Sequence, residues 1–215
     1  MRRLPVYVLL DTSGSMRGEP IEAVNSGMET LIGSLRRDPY ALETVHLAVL
    51  TFNAEARTIV PMTALEDVVL PTITTPRSGP THLGLALEAL GAQVAREIVR
   101  GTVDAKGDWA PYLFVMTDGK PSDTQLYKEQ CARIRTMGFA SIIGCAAGPK
   151  AREDDLRPLC DTIVRLDTMD PGAFSQLFKW VSEVVASGNR SVGAGAGAGD
   201  ADKLPPPPPE INVVM

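Results

Sequence analysis

The chain has little of what most enzyme chemistry is built from. Of its 215 residues, two are histidine, three are cysteine and 5% are aromatic. His46 and His82 lie far apart in sequence, and His46 interrupts the apolar run 45–50, where it reads as a structural residue near a strand end. Cys131, Cys145 and Cys160 are odd in number and widely spaced, with no C-x-x-C pair of the zinc or redox kind. They read as buried, reduced thiols in a cytoplasmic protein. No basic tract alternates with aromatics and the net charge is −5, so no nucleic-acid groove is expected. Long apolar runs are missing too. Met1-Arg2-Arg3-Leu4-Pro5 leads into only five or six apolar residues before Asp11, too few for a signal-peptide core or a membrane span. The twin arginines read as a solvated lead-in to a strand. A G-x-x-x-x-G-K-[ST] phosphate loop is absent, as is any Ser-His-Asp grouping.

What the chain does have is 44% hydrophobic residues in a strict order of runs and stripes, enough for one sizeable core. Val6 to Leu10 is apolar without alternation, the mark of a strand buried on both faces. Tyr112 to Met116 repeats that pattern, and Val45 to Phe52, Ala140 to Ala146 and Thr162 to Leu166 also read as strands. Arg57 to Met62 reads as a strand paired antiparallel to the second, and Pro61 puts it on an edge. Between the strands, steps of three and four predict helices. The first carries Ile21, Val24, Met28, Leu31 and Leu35, ending at Asp38-Pro39. The second spans about Thr81 to Val99, and others cover Gln125 to Met137 and Asp154 to Leu159. The last opens at Asp170-Pro171 and shows Phe174, Leu177, Phe178, Val181 and Val184 on one face. The expected fold is α/β, a doubly wound, mostly parallel, Rossmann-like sheet with one antiparallel edge strand and helices on both faces.

Composition divides the chain into a domain at 1–187, a flexible Gly/Ala-rich linker at 188–203 and a Pro-rich extended tail at 204–215. The linker has an r.m.s. span of roughly 20 Å and the five prolines Pro205 to Pro209 add about 15 Å. Such a tail can dock on its own domain or on another chain, or stay disordered.

Ligands of doubly wound sheets bind beyond the carboxyl ends of the strands. Asp11-Thr12-Ser13-Gly14-Ser15 leaves the first strand, Thr117-Asp118-Gly119 leaves the Tyr112 strand, and Gly79-Pro80-Thr81 precedes the second long helix. Asp11, Ser13, Ser15, Thr81 and Asp118 are thus expected at one edge: oxygen donors without histidine or cysteine, the set a hard cation prefers. The hydroxyls of Ser13 and Ser15 also suit simple capping of the turn and helix. Each loop has a cation beside it: Arg17, Arg77 and Lys120. They read equally as a rim attracting an acidic partner and as ordinary surface charge.

The Asp11-to-Ser15 stretch resembles the D-x-S-x-S motif of von Willebrand factor A domains. Gly79-Pro80-Thr81 with Leu83-Gly84-Leu85 resembles their threonine loop, and Thr117-Asp118-Gly119 their third loop. Many members carry glycine where this chain has Pro80. The resemblance implies a metal-ion-dependent adhesion site. Ser13, Ser15 and, in the engaged state, Thr81 would hold the ion directly, and Asp11 and Asp118 would act mostly through water. Mg²⁺ is the expected occupant, with Mn²⁺ or Ca²⁺ as alternatives. The stretch from Thr117 to Asp123 is most similar to bacterial TerY-type proteins linked to tellurite resistance. That similarity implies a non-catalytic adaptor whose partner, such as a kinase or a metal-dependent phosphatase, offers a carboxylate. The competing expectation is a phosphoryl-transfer enzyme of haloacid-dehalogenase type with Asp11 as nucleophile. It is disfavoured because Ser13 stands where those enzymes carry a second acid.

Overall fold

The computed structural model of the protein describes residues 2–103, 105–193, 205–208 and 212–214. Seven strands form one sheet: β1 (Leu4–Asp11), β2 (Val45–Phe52), β3 (Ala56–Ala64), β4 (Tyr112–Thr117), β5 (Ser141–Ala147), β6 (Thr162–Leu166) and β7 (Asn212–Val214). Their order is β3-β2-β1-β4-β5-β6-β7. The five inner strands are parallel, and β3 runs antiparallel at one edge, as Pro61 suggested. At the other edge β7 pairs antiparallel with β6, setting Asn212 opposite Arg165 and Val214 opposite Ile163.

Every residue of β1 is buried, which explains its unbroken apolar run. The pleat sends Val6, Val8 and Leu10 into a core shared with α1 (Glu19–Arg36) and α6 (Pro171–Gly193). Tyr7 and Leu9 enter a second core beneath α3 (Leu83–Glu97), α4 (Thr124–Arg135) and the single turn α5 (Glu153–Leu156). Among the described residues no helix is long and apolar enough to cross a membrane.

The structure differs from the sequence expectations at four places. A short helix, α2 (Pro39–Thr44), follows α1 directly, because Asp38 Oδ1 accepts hydrogen bonds from the backbone N–H of Tyr40 (2.9 Å) and Ala41 (3.1 Å). The helix expected from Thr81 begins at Leu83, which leaves Thr81 in a loop. The last helix does not stop at 187: α6 runs on to Gly193. A helix already nucleated on a packed face gains one hydrogen bond per added residue, and a glycine such as Gly188 costs only about 1 kcal/mol. The rest of the expected linker, 194–203, lies outside the described residues. The twin arginines, finally, are not simply solvated. Arg2 donates to the carbonyls of Gly107 (2.7 Å) and Asp108 (3.0 Å) and lies 3.4 Å over the Trp109 ring. Arg3 grips Asp108 (2.6 Å) and the carbonyl of Glu97 (2.8 Å). Together they fasten the start of β1 to the loop before β4.

Candidate functional site

After β1 the chain builds outward through β2 to β3, then returns to lay β4 on the other side of β1. Strand order therefore reverses between β1 and β4, and the loops leaving their carboxyl ends part around a crevice. Asp11 is the last residue of β1, and Asp118 follows β4 by one residue. Asp11 is fully buried, with both carboxylate oxygens engaged: Oδ1 accepts the Ser13 backbone N–H (2.7 Å) and Oδ2 accepts the Thr117 hydroxyl (2.6 Å). The Ser13 and Ser15 hydroxyls lie 3.2 Å apart, and Ser15 donates to Asp118 Oδ1 at 2.9 Å. Thr81 is stitched to the Asp118 loop through Ser122, whose N–H donates to its carbonyl (2.8 Å) and whose hydroxyl accepts its N–H (3.2 Å). Its own hydroxyl faces Gly119, 3.4 Å from where a Cβ would stand. Asp11, Ser13, Ser15, Thr81 and Asp118 thus come together from three loops. Ser15 is exposed and the other four are buried, so the cluster meets solvent at Ser15.

The electrostatics of this cluster favour a cation. Burial pushes the Asp11 carboxyl up to about 6 against the hydrogen bonds from Thr117 and Ser13, and the neighbouring Asp118 charge adds to the rise. Burial likewise raises Asp118, against hydrogen bonds from Ser15 and Ser13 and the attraction of Lys150. Two carboxylates that burial disfavours, faced by hydroxyl lone pairs, would both be relieved by a divalent ion among them. No group of three or more His, Cys, Asp or Glu side chains suited to a metal occurs among the described residues. The donor set here is hydroxyl-rich, the chemistry of a hard ion that keeps some of its water.

The loops are held by residues outside the five oxygen donors. Asp123 precedes α4 and looks like its cap, yet its carboxylate reaches across to α3, accepting N–H groups from Gly84 (3.1 Å) and Leu85 (2.8 Å). This bridging cap fixes the start of α3 and hence Thr81. Gly84 is required there, since a Cβ would stand 2.4 Å from the Tyr127 backbone nitrogen. Thr12 is tied to the end of β2 by Phe52 and by Asn53 Nδ2 (3.0 Å). Thr117, whose hydroxyl orients Asp11, was read as part of the third loop but given no role of its own. Arg17, Arg77 and Lys120 are exposed in the three loops. Lys150, on the loop after β5, also reaches the site electrostatically. His82 sits at the start of α3, with Nδ1 3.3 Å from the Ala54 carbonyl. Trp109 lies at the far end of the sheet, beside Arg2.

Fold and loops define a Rossmann-like α/β domain with an oxygen-donor cluster at its switch point. The chain belongs to the von Willebrand factor type A domain family, whose model matches residues 6–163. Members of this family are protein-interaction modules, often acting through a metal site. No curated protein sequence matches the chain. Among solved structures, it is similar to a von Willebrand factor type A protein from Catenulispora acidiphila, with a TM-score of 0.67 at 15% identity over 86% of this chain and 43% of that one. Proximal thread matrix protein 1 from the mussel byssus, solved with a zinc-occupied MIDAS motif, gives 0.61 at 17% over 86% and 48%. The ArnB paralog VWA2 from Sulfolobus acidocaldarius gives 0.58 at 17% over 86% and 45%. This chain spans less than half the length of each of these relatives.

Proposed function

We propose that the protein is a non-catalytic binding module that engages an acidic residue of a partner protein through a divalent cation, with Mg²⁺ as the ordinary occupant. Ser13, Ser15 and Thr81 would hold the ion through their hydroxyls, and Asp11 and Asp118 through bridging water. With few directly bound charges, the ion keeps a net positive charge and an open position for a partner's carboxylate. The observation that carries this is the convergence of Ser13, Ser15 and Asp118 in one hydrogen-bonded chain, 3.2 and 2.9 Å per step, with Ser15 exposed. The state of Asp11 speaks against a phosphoryl-transfer role. A nucleophilic carboxylate must face its substrate, whereas Asp11 is fully buried and each of its oxygens is already oriented by a hydrogen bond, leaving room for a bridging water more readily than for in-line attack. Arg17, Arg77 and Lys120 would form a cationic rim. An adaptor role in a cytoplasmic tellurite-resistance or kinase–phosphatase system rests on the resemblance of the Thr117–Asp123 stretch to TerY-type proteins.

The test is thermal unfolding with and without Mg²⁺ or Mn²⁺. Metal at a hundredfold excess over its Kd adds about 2.7 kcal/mol, a rise of roughly 5–10 °C for a chain of this size. The rise should be present in the wild type and absent in Asp11→Ala and Ser13→Ala. A wild type indifferent to both metals would overturn the proposal. Phosphatase turnover abolished by Asp11→Asn would establish the enzyme instead.

A further inference from the structure

Beside the cluster lies a hollow of about 140 Å³, lined by Ser15, Asp118, Ala147, Pro149, Lys150 and Met169. It shares two walls, Ser15 and Asp118, with the candidate cation site, so whatever fills it touches the same ligand. The other walls differ in character. Ala147 is buried at the end of β5, Pro149 is exposed, and the half-buried Met169 packs on the α1/α6 core. Lys150 stands exposed on the lip, with its charge acting on Asp118.

The hollow is held by its own supports. Gly148 has φ +81° and donates to the Leu166 carbonyl at 2.7 Å. A Cβ at Gly148 would lie 2.5 Å from Met169 Sδ, so only glycine lets that side chain lie across the loop as a wall. The Met169 loop is pinned in turn by Asp170, which accepts from the Thr168 hydroxyl (2.6 Å) and the Ala173 N–H (2.9 Å).

We infer that this hollow is a specificity pocket, taking a medium-sized aliphatic side chain adjacent to the partner's metal-binding acidic residue. The inference rests on the carboxylate-binding reading above and adds the partner's second residue to it. Size sets the upper limit. A cavity of about 150 Å³ holds a benzene ring, so the hollow takes a side chain of up to about six carbon atoms. Valine, leucine and isoleucine side chains fit, the larger indole of tryptophan does not, and glycine leaves it empty. Character sets the rest: the methionine, proline and alanine walls gain from an apolar occupant, while Lys150 attracts the acidic residue beside it. Lys150 and Met169 are therefore specificity-determining residues.

The probe is a set of synthetic dodecapeptides, each with a single glutamate flanked on one side or the other by Gly, Val, Leu or Trp. They are titrated into the full chain in Mg²⁺ and followed by NMR chemical-shift changes. The Val and Leu peptides should bind at least about fivefold more tightly than the Gly and Trp peptides. Met169→Ala should abolish the preference for Val and Leu over Gly. Lys150→Ala, at an exposed position that leaves folding intact, should weaken all the peptides while preserving their ranking. Metal binding is read separately, from the Mg²⁺-dependent melting shift of the same sample. A normal shift with equal affinities, or with no peptide binding, overturns the specificity pocket alone. Loss of the shift overturns the carboxylate-binding reading beneath it.

Discussion

Asp108 shows how much one side chain can hold when it is placed at a junction. Its carboxylate takes two hydrogen bonds from Arg3 and the backbone N–H of Val99 (2.8 Å), and so ties β1, the end of α3 and the loop before β4 together. Burial pushes its pKa up, but the Arg3 and Val99 hydrogen bonds and the Arg3 charge outweigh that, and the net result lies below the ordinary value. A carboxyl whose pKa falls on folding adds stability that is complete above its unfolded pKa and lost as pH drops through the folded one. Asp108→Asn should thus cost about 1–3 kcal/mol at pH 7, with the gap to wild type closing below about pH 4. Denaturant titrations at pH 7, 4 and 2.5 measure this, and a gap constant with pH would assign the loss to packing. Neither arginine's role was legible in sequence, because Arg2 and Arg3 meet their partners only across about a hundred residues of chain. The same holds for Asp123, whose position before an apolar stripe marks a cap for α4 and conceals that it caps α3. Asp11, Ser13 and Ser15 were legible for the opposite reason: they are contiguous, and they follow a buried run.

At the scale of elements, period carries most of the information and short pieces escape it. The largely apolar runs of β1, β2, β4, β5 and β6 and the stripes of α1, α3 and α6 could be read directly, since each buries a face long enough to leave a pattern. α2 has too few residues for a period, and β7, with three, was readable as a short extended strand after the prolines but not as a partner of β6. β7 matters more than its length suggests, because it pairs with the outer edge of β6, which would otherwise present unpaired N–H and C=O groups. The tail is anchored a second time where the Trp180 indole N–H donates to the Pro205 carbonyl at 2.9 Å, Trp180 itself being buried. Deleting residues 204–215 removes both contacts. The truncated chain should show faster amide exchange within β6, a change in tryptophan fluorescence and concentration-dependent self-association by light scattering. Unchanged exchange at Ile163, Val164 and Arg165 would mean that the strand contributes nothing to the edge.

For the whole molecule, charge sets a conflict that geometry resolves. With 21 basic and 26 acidic residues the protein is net negative, so at long range it repels the acidic partner proposed for it. Yet Arg17, Arg77, Lys120 and Lys150 are all exposed, in the loops that follow β1, precede α3 and follow β4 and β5, where they would form the proposed rim. At about 0.15 M salt, screening reduces distant charges beyond about 8 Å, while charges beside the approaching ligand still act. The local rim should therefore outweigh the net charge during encounter. Steering of this kind acts on association more than on dissociation. Reversing Arg77 and Lys120 together to glutamate should lower the association rate of a glutamate-bearing peptide about tenfold or more at low salt. The dissociation rate and the metal-dependent melting shift should change little. Raising the salt to about 0.5 M should bring the two proteins' rates together. Stopped-flow measurements across a salt series test this. A loss confined to the dissociation rate would show that these cations contact the ligand directly, and identical rates at every salt would make them ordinary surface charge.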